Sequence, residues 1–168
     1  MAQTKRQVFY SFHFDNDVMR VQQIRNMGVI EGNTPVSPND WEAARRTPGA
    51  IERWINDNMK YRSCVVVLVG TDTANRPWVK YEIEKAWKDG KGVVGIYIHN
   101  LKDPRTSDVA PYYGKCAQGP NPFDQLRFTS GALLSSAVTC HNPNISDPYN
   151  DIKSNIDRWV EAAIELRG

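Results

Sequence analysis

Two kinds of hydrophobic run organise this chain, one unbroken and one spaced at the helical period. Cys64-Val65-Val66-Val67-Leu68-Val69 is continuous and β-branched, with no polar alternation. Such a strand must be covered on both faces, as in the middle of a parallel sheet. Gly92-Val93-Val94-Gly95-Ile96-Tyr97-Ile98 reads as a second buried strand, and Val8-Phe9-Tyr10-Ser11-Phe12 as the first. Between them fall helical patterns. Val18, Val21 and Ile24 share one side of a helix over about residues 16–27, with Asp15 or Asn16 as its cap and Gly28 as its end. Thr47-Pro48-Gly49-Ala50 reads as a cap with proline at the first helical position, ahead of Ile51, Trp54, Ile55 and Met59. Residues 77–89 form a helix between Pro77 and Gly90. Asp147-Pro148 opens a long last helix with Ile152, Ile156, Trp159, Val160, Ala163 and Leu166 on one face.

Two stretches carry weaker patterns. Residues 29–39 read as a loop with one short strand near Val36, and residues 100–135 as mostly loop before a short last strand over Ser136 to Cys140. Strands alternating with helices imply βαβ units. The expected architecture is therefore α/β: a flavodoxin-like, doubly wound, mainly parallel sheet with helices on both faces, forming one domain over residues 1–168. Ligands of such sheets bind beyond the carboxyl ends of the strands. The loops after Phe12, Val69 and Ile98 are the candidate site.

Composition narrows the class. The 168 residues are 40% hydrophobic and 24% charged, as in a soluble globular protein. A net charge of +2 is too small to suggest nucleic-acid binding. No apolar run approaches the roughly 20 residues of a membrane span, and none of signal-peptide length precedes Val8. With three cysteines lacking metal spacing, the expectation is a reduced, cytoplasmic protein without a metal site and without membrane contact.

Several motif matches fail on context. Gly90-Lys91-Gly92-Val93-Val94-Gly95 fits the dinucleotide-binding pattern by letter, but follows a helix and opens a strand, the reverse of what phosphate binding requires. Asn144-Ile145-Ser146 fits a glycosylation site with no secretory signal. Cys64 belongs in the core, and Cys140-His141 has no ligand partner at metal spacing.

The informative segment follows the central strand: Arg76-Pro77-Trp78-Val79-Lys80-Tyr81-Glu82-Ile83. Val79, Ile83, Ala86 and Trp87 form the buried stripe, and Trp78 and Glu82 lie one turn apart along its edge. A carboxylate there can point into the crevice at the sheet's carboxyl end. The plain alternative is a surface Glu82 paired with Lys85, beside a packing tryptophan.

Val8-Phe9-Tyr10-Ser11-Phe12 followed by Asp15 and Asp17 resembles the first box of TIR domains, and Trp78 to Glu82 resembles the TIR segment in which tryptophan precedes the catalytic glutamate by four. Together with Asp40-Trp41-Glu42 and Gly119-Pro120-Asn121-Pro122-Phe123-Asp124, these phrases resemble the TIR-like ThsB proteins of the bacterial Thoeris anti-phage system. The likeness covers about residues 7–126. Residues 127–148 resemble nothing recognisable.

The resemblance implies a TIR fold that takes NAD+ as substrate and cleaves its nicotinamide–ribose bond. Its product would be a signalling nucleotide, a cyclic ADP-ribose isomer or another ADP-ribose conjugate, that activates a separate effector. It further implies a homo-oligomer when active and a phage trigger. Carried over, Glu82 is the catalytic acid. Ser11, Phe12 and His13 lie at the pocket mouth with Trp78 beside them, and Asp40 and Trp41 belong to a loop that closes over the cofactor.

Cleavage of that bond gives the ribose oxocarbenium character, which a carboxylate stabilises. Pyridinium leaves without protonation, so one carboxylate can suffice. Water capture yields ADP-ribose, and capture by an internal nucleophile yields a cyclic product in a water-poor site. Two other classes share the architecture. A catalytically silent TIR-like adaptor needs no carboxylate in the crevice. A receiver-type phosphoacceptor needs an Asp at the end of its third strand, where this chain has Val69-Gly70-Thr71, with Asp72 out of place.

Overall fold

The computed structural model describes residues 5–33, 47, 49–105 and 113–168. Five parallel strands lie in the order β2-β1-β3-β4-β5: β1 (Gln7–Ser11), β2 (Glu31–Gly32), β3 (Cys64–Val69), β4 (Gly92–Tyr97) and β5 (Cys140–His141). Among the described residues four α-helices cover them: α1 (Phe14–Asn26), α2 (Ala50–Met59), α3 (Pro77–Lys88) and α4 (Pro148–Leu166).

The unbroken run in β3 has the expected cause. All six of its residues are buried. Because side chains alternate across a strand, Cys64, Val66 and Leu68 pack with Val21 and Ile24 of α1 and Ile152, Ile156 and Val160 of α4. Val65, Val67 and Val69 pack on the opposite face with Ile51, Ile55 and Met59 of α2 and Val79, Ile83 and Ala86 of α3. The sheet is thus filled from both sides. Burial pushes the Cys64 thiol up to about 12, leaving it inert.

The glycines of the failed dinucleotide pattern serve packing instead. Gly90 closes α3 with φ +78°. A Cβ on Gly92 would sit 2.9 Å from the Ile164 backbone nitrogen, so α4 rests directly on β4. A Cβ on Gly95 would come within 2.8 Å of both Cys140 and Phe123.

Several expected boundaries shift, each for a physical reason. The edge strand is Glu31–Gly32 rather than a segment near Val36, which lies outside the described residues. It is short because Asn33 Oδ1 accepts the Tyr10 N–H at 2.8 Å, so a side chain replaces the next ladder bond. The last strand is Cys140–His141 because Leu134–Ser136 turns into a 3₁₀ helix instead of extending. Helix α2 begins at Ala50, since Gly49 sits at φ +74° and cannot continue it backward. Helix α1 starts at Phe14, capped by the backbone of His13 with no side-chain bond. Residues 100–135 are more than loop: a 3₁₀ turn at Pro122–Gln125 places Phe123 in the α2/α3 core, where Leu126 joins it. No helix among the described residues is long and apolar enough to cross a membrane.

Candidate active site

Helix α3 must turn Val79, Ile83 and Ala86 to the sheet, and Glu82 sits on the border of that stripe. Its side chain is carried under the carboxyl end of β1, where it is only 7% exposed. There Ser11, the last residue of β1 and fully buried, donates its hydroxyl to Glu82 Oε1 at 3.0 Å. Burial pushes the Glu82 carboxyl up to about 8, and the Ser11 hydrogen bond opposes the rise. Among the described residues no cation pairs with it. Lys85 instead holds Asp89 at 2.8 Å, which overturns the surface Glu82–Lys85 alternative.

Above Glu82 opens a cavity of about 740 Å³, counted out to its mouth. Tyr10, Phe12, His13, Trp54, Trp78 and Glu82 contribute to its wall. The aromatics are braced from behind. Trp78 meets Tyr81 edge to face at 5.4 Å, Tyr81 hydrogen-bonds Asn56 of α2 at 2.9 Å, and Trp54 meets Phe9 at 6.0 Å. Rings held this way form a preorganised apolar wall around the Glu82 carboxyl group, with Asp15 and Arg76 also on the lining.

His13 stands where β1 gives way to α1 and lines the cavity. Its Nδ1 is buried without a partner among the described residues. Burial, then the nearby Arg76, hold its pKa below the ordinary histidine value, against Asp72 and Asp15. A neutral imidazole at neutral pH follows.

The structure therefore brings together Phe12, His13, Trp78 and Glu82. Ser11 lies beneath the floor, bonded to Glu82, and is not part of the cavity wall. Asp40 and Trp41 lie outside the described residues. The loops after β1 and β3 contribute to the site, whereas His99, after Ile98, lines a different cavity. Trp54, Asn33 and Arg76 also border the site. Trp54 looks in sequence like one more member of the α2 core stripe. Asn33 falls in a segment without periodicity, and its backbone-capping role has no local signature.

A parallel α/β sheet with a carboxyl group under the end of its first strand, carried with a tryptophan one turn before it on the helix after β3, defines a TIR-type domain. Residues 9–103 match the family described as Thoeris protein ThsB, TIR-like domain. The chain belongs to that family. It is also 36% identical over 130 residues to a curated relative from Bacillus cereus (strain MSX-D12) named "Putative cyclic ADP-D-ribose synthase ThsB1". The aligned region is 73% of this chain, and it spans 64% of the relative's length. The family match contains Ser11, Phe12, His13, Trp78 and Glu82, and stops before β5 and α4.

Proposed function

We propose that this chain is an NAD+-consuming enzyme that cleaves the nicotinamide–ribose bond and makes an ADP-ribose-derived signalling nucleotide in anti-phage defence. One observation carries the reading: Glu82 is buried, with no cation paired to it among the described residues, under an aromatic-walled cavity, with its carboxyl held by Ser11. A buried carboxylate without a partner is unfavourable. A ligand whose nicotinamide ring is cationic, and whose positive charge passes to the ribose as the bond breaks, supplies the missing charge. The relative's name, a cyclic ADP-D-ribose synthase, supports the same chemistry.

In this reading the C1′–N bond breaks and its electron pair passes to the pyridinium nitrogen, so nicotinamide departs neutral. Positive charge spreads over the ribose ring, and the Glu82 carboxylate stabilises it. The incoming nucleophile then loses a proton, which a carboxylate with a pKa near 8 can accept. Phe12 and Trp78 offer faces for the nicotinamide or adenine ring. Neutral His13 positions a ribose hydroxyl or phosphate oxygen. Ser11 acts through Glu82, orienting it and favouring its ionised form, rather than touching substrate. The product, a cyclic ADP-ribose isomer or an ADP-ribose conjugate, activates a separate effector.

Product analysis tests the reading. Purified protein incubated with NAD+ should yield nicotinamide and an ADP-ribose-derived nucleotide in equal amounts by mass spectrometry. An altered dinucleotide that retains nicotinamide would overturn it.

A further inference from the structure

A second cavity lies beyond the carboxyl end of β4 and shares no residue with the one above Glu82. After Tyr97 the chain runs through His99 and Asn100, and residues 113–118 return beside it. Cys116 N–H donates to His99 O at 3.0 Å, and Asp103 N–H to Gly114 O at 2.8 Å. Between this pair and Ile145 is an opening of about 1020 Å³, counted out to its mouth.

Among the described residues its lining carries positive charge: Lys102 and Lys115 face it, neither is in an ion pair, and no carboxylate lines it. Two buried acids beside it are engaged elsewhere: Asp103 with Arg105 at 2.8 Å, and Asp17 with Arg20 at 3.0 Å. Arg20, buried beneath, donates to Leu101 O at 2.8 Å and Gly114 O at 3.2 Å, bracing both sides of the cavity from α1. His99 is 8% exposed, and its Nδ1 has no partner among the described residues. Asn100 and Gln118 add carboxamides that both donate and accept.

Tyr113 completes the set. It sits at φ +50°, a conformation that is strained for a residue with a side chain, while its ring stays 54% exposed at the cavity. Strain of this kind gathers at ligand clamps. An exposed ring beside two ammonium groups that form no ion pair among the described residues, and two carboxamides, matches a heterocyclic base joined to phosphate. Ammonium groups make charge-assisted bonds to phosphate oxygens, and base–aromatic stacking tolerates any base.

We infer that the cavity bounded by His99, Lys102, Tyr113, Lys115 and Gln118 is a second binding site, for a phosphorylated nucleoside, separate from the Glu82 cavity. It stands on its own residues, whatever chemistry Glu82 performs.

The test is a fluorescence titration of the full chain with N-methylanthraniloyl-ADP, with inorganic pyrophosphate as competitor. Saturable binding should persist in Trp78→Ala, a variant that weakens the Glu82 cavity as a competing site for the ADP moiety. Lys102→Gln/Lys115→Gln should weaken binding about 100-fold, about tenfold per lost phosphate contact, and Lys102→Glu/Lys115→Glu further still. Tyr113→Ala should weaken the labelled nucleotide about tenfold while leaving pyrophosphate competition unchanged. Unaltered circular dichroism and melting temperature identify the variants that are folded. Binding lost in Trp78→Ala but kept in the lysine variants would place the nucleotide above Glu82 and overturn the inference. Equal binding by Tyr113→Ala would overturn the nucleoside and leave a simple anion site. Absence of saturable binding up to about 1 mM would overturn both.

Discussion

Removing the Ser11 hydroxyl is the sharpest perturbation of the catalytic geometry. With the Glu82 carboxyl near 8, about one molecule in ten carries the carboxylate at pH 7. The hydrogen bond from Ser11 favours that ionised form, and a bond to a charged group contributes about 1.5 kcal/mol, roughly one pKa unit. Ser11→Ala should therefore raise the Glu82 pKa by about one unit and reduce the ionised fraction at pH 7 about tenfold. The assay is kcat/KM for NAD+ across pH, which reports the pKa of the free enzyme. The acid limb should move up by about one pH unit, the loss at pH 7 should be about tenfold, and the alkaline plateau should be retained. Ser11→Thr, which keeps the hydroxyl, should leave the limb in place. An unmoved limb with a lowered plateau would refute the coupling and make Ser11 a substrate contact instead.

Other outcomes follow from the same contacts. Because folding raises the Glu82 pKa above its ordinary 4.5, the native state binds this proton more tightly than the unfolded chain, and this group's contribution to stability falls as pH rises from about 4.5 to 8. Glu82→Gln has no proton to lose, so its melting temperature should exceed that of the native protein by several degrees at pH 8 and nearly match it at pH 5. Gly92→Ala places a Cβ 2.9 Å from the Ile164 backbone nitrogen and should cost about 1–3 kcal/mol in urea unfolding. Arg20→Met strands the buried Asp17 carboxyl and should cost about 3–5 kcal/mol. Arg20→Met/Asp17→Asn should recover a large part of that loss, measured in the same unfolding experiment.

Features with strong local period were legible in the sequence. The apolar runs of β3 and β4, and the α3 stripe with Glu82 at its edge, needed only side-chain periodicity and the rule that parallel strands are covered twice. Features made by a single side chain, or by partners distant in sequence, were not. The bond from Ser11 to Glu82 spans 71 positions, and nothing near either residue marks it. Strand β2 is two residues long because Asn33 takes over its ladder bond. Helix α1 buries Asp17 and Arg20 along with Val21 and Ile24. A hydrophobic pattern counts those charges as solvent-facing, and misses that each neutralises the other beneath the loop after β4. Phe123 and Leu126 are hidden among prolines, glycines and asparagines, where core residues leave no period to read.

Nicotinamide release from NAD+ by the purified chain, beside Glu82→Gln, tests the central claim most directly. The native protein should release nicotinamide. Glu82→Gln, folded as judged by its melting curve, should be slower by at least about 10²-fold, the scale of a removed electrostatic stabiliser. Equal release by both proteins, or none from the native chain when concentrated and supplied with phage-infected lysate, would contradict the assignment of Glu82 as the group that cleaves the bond.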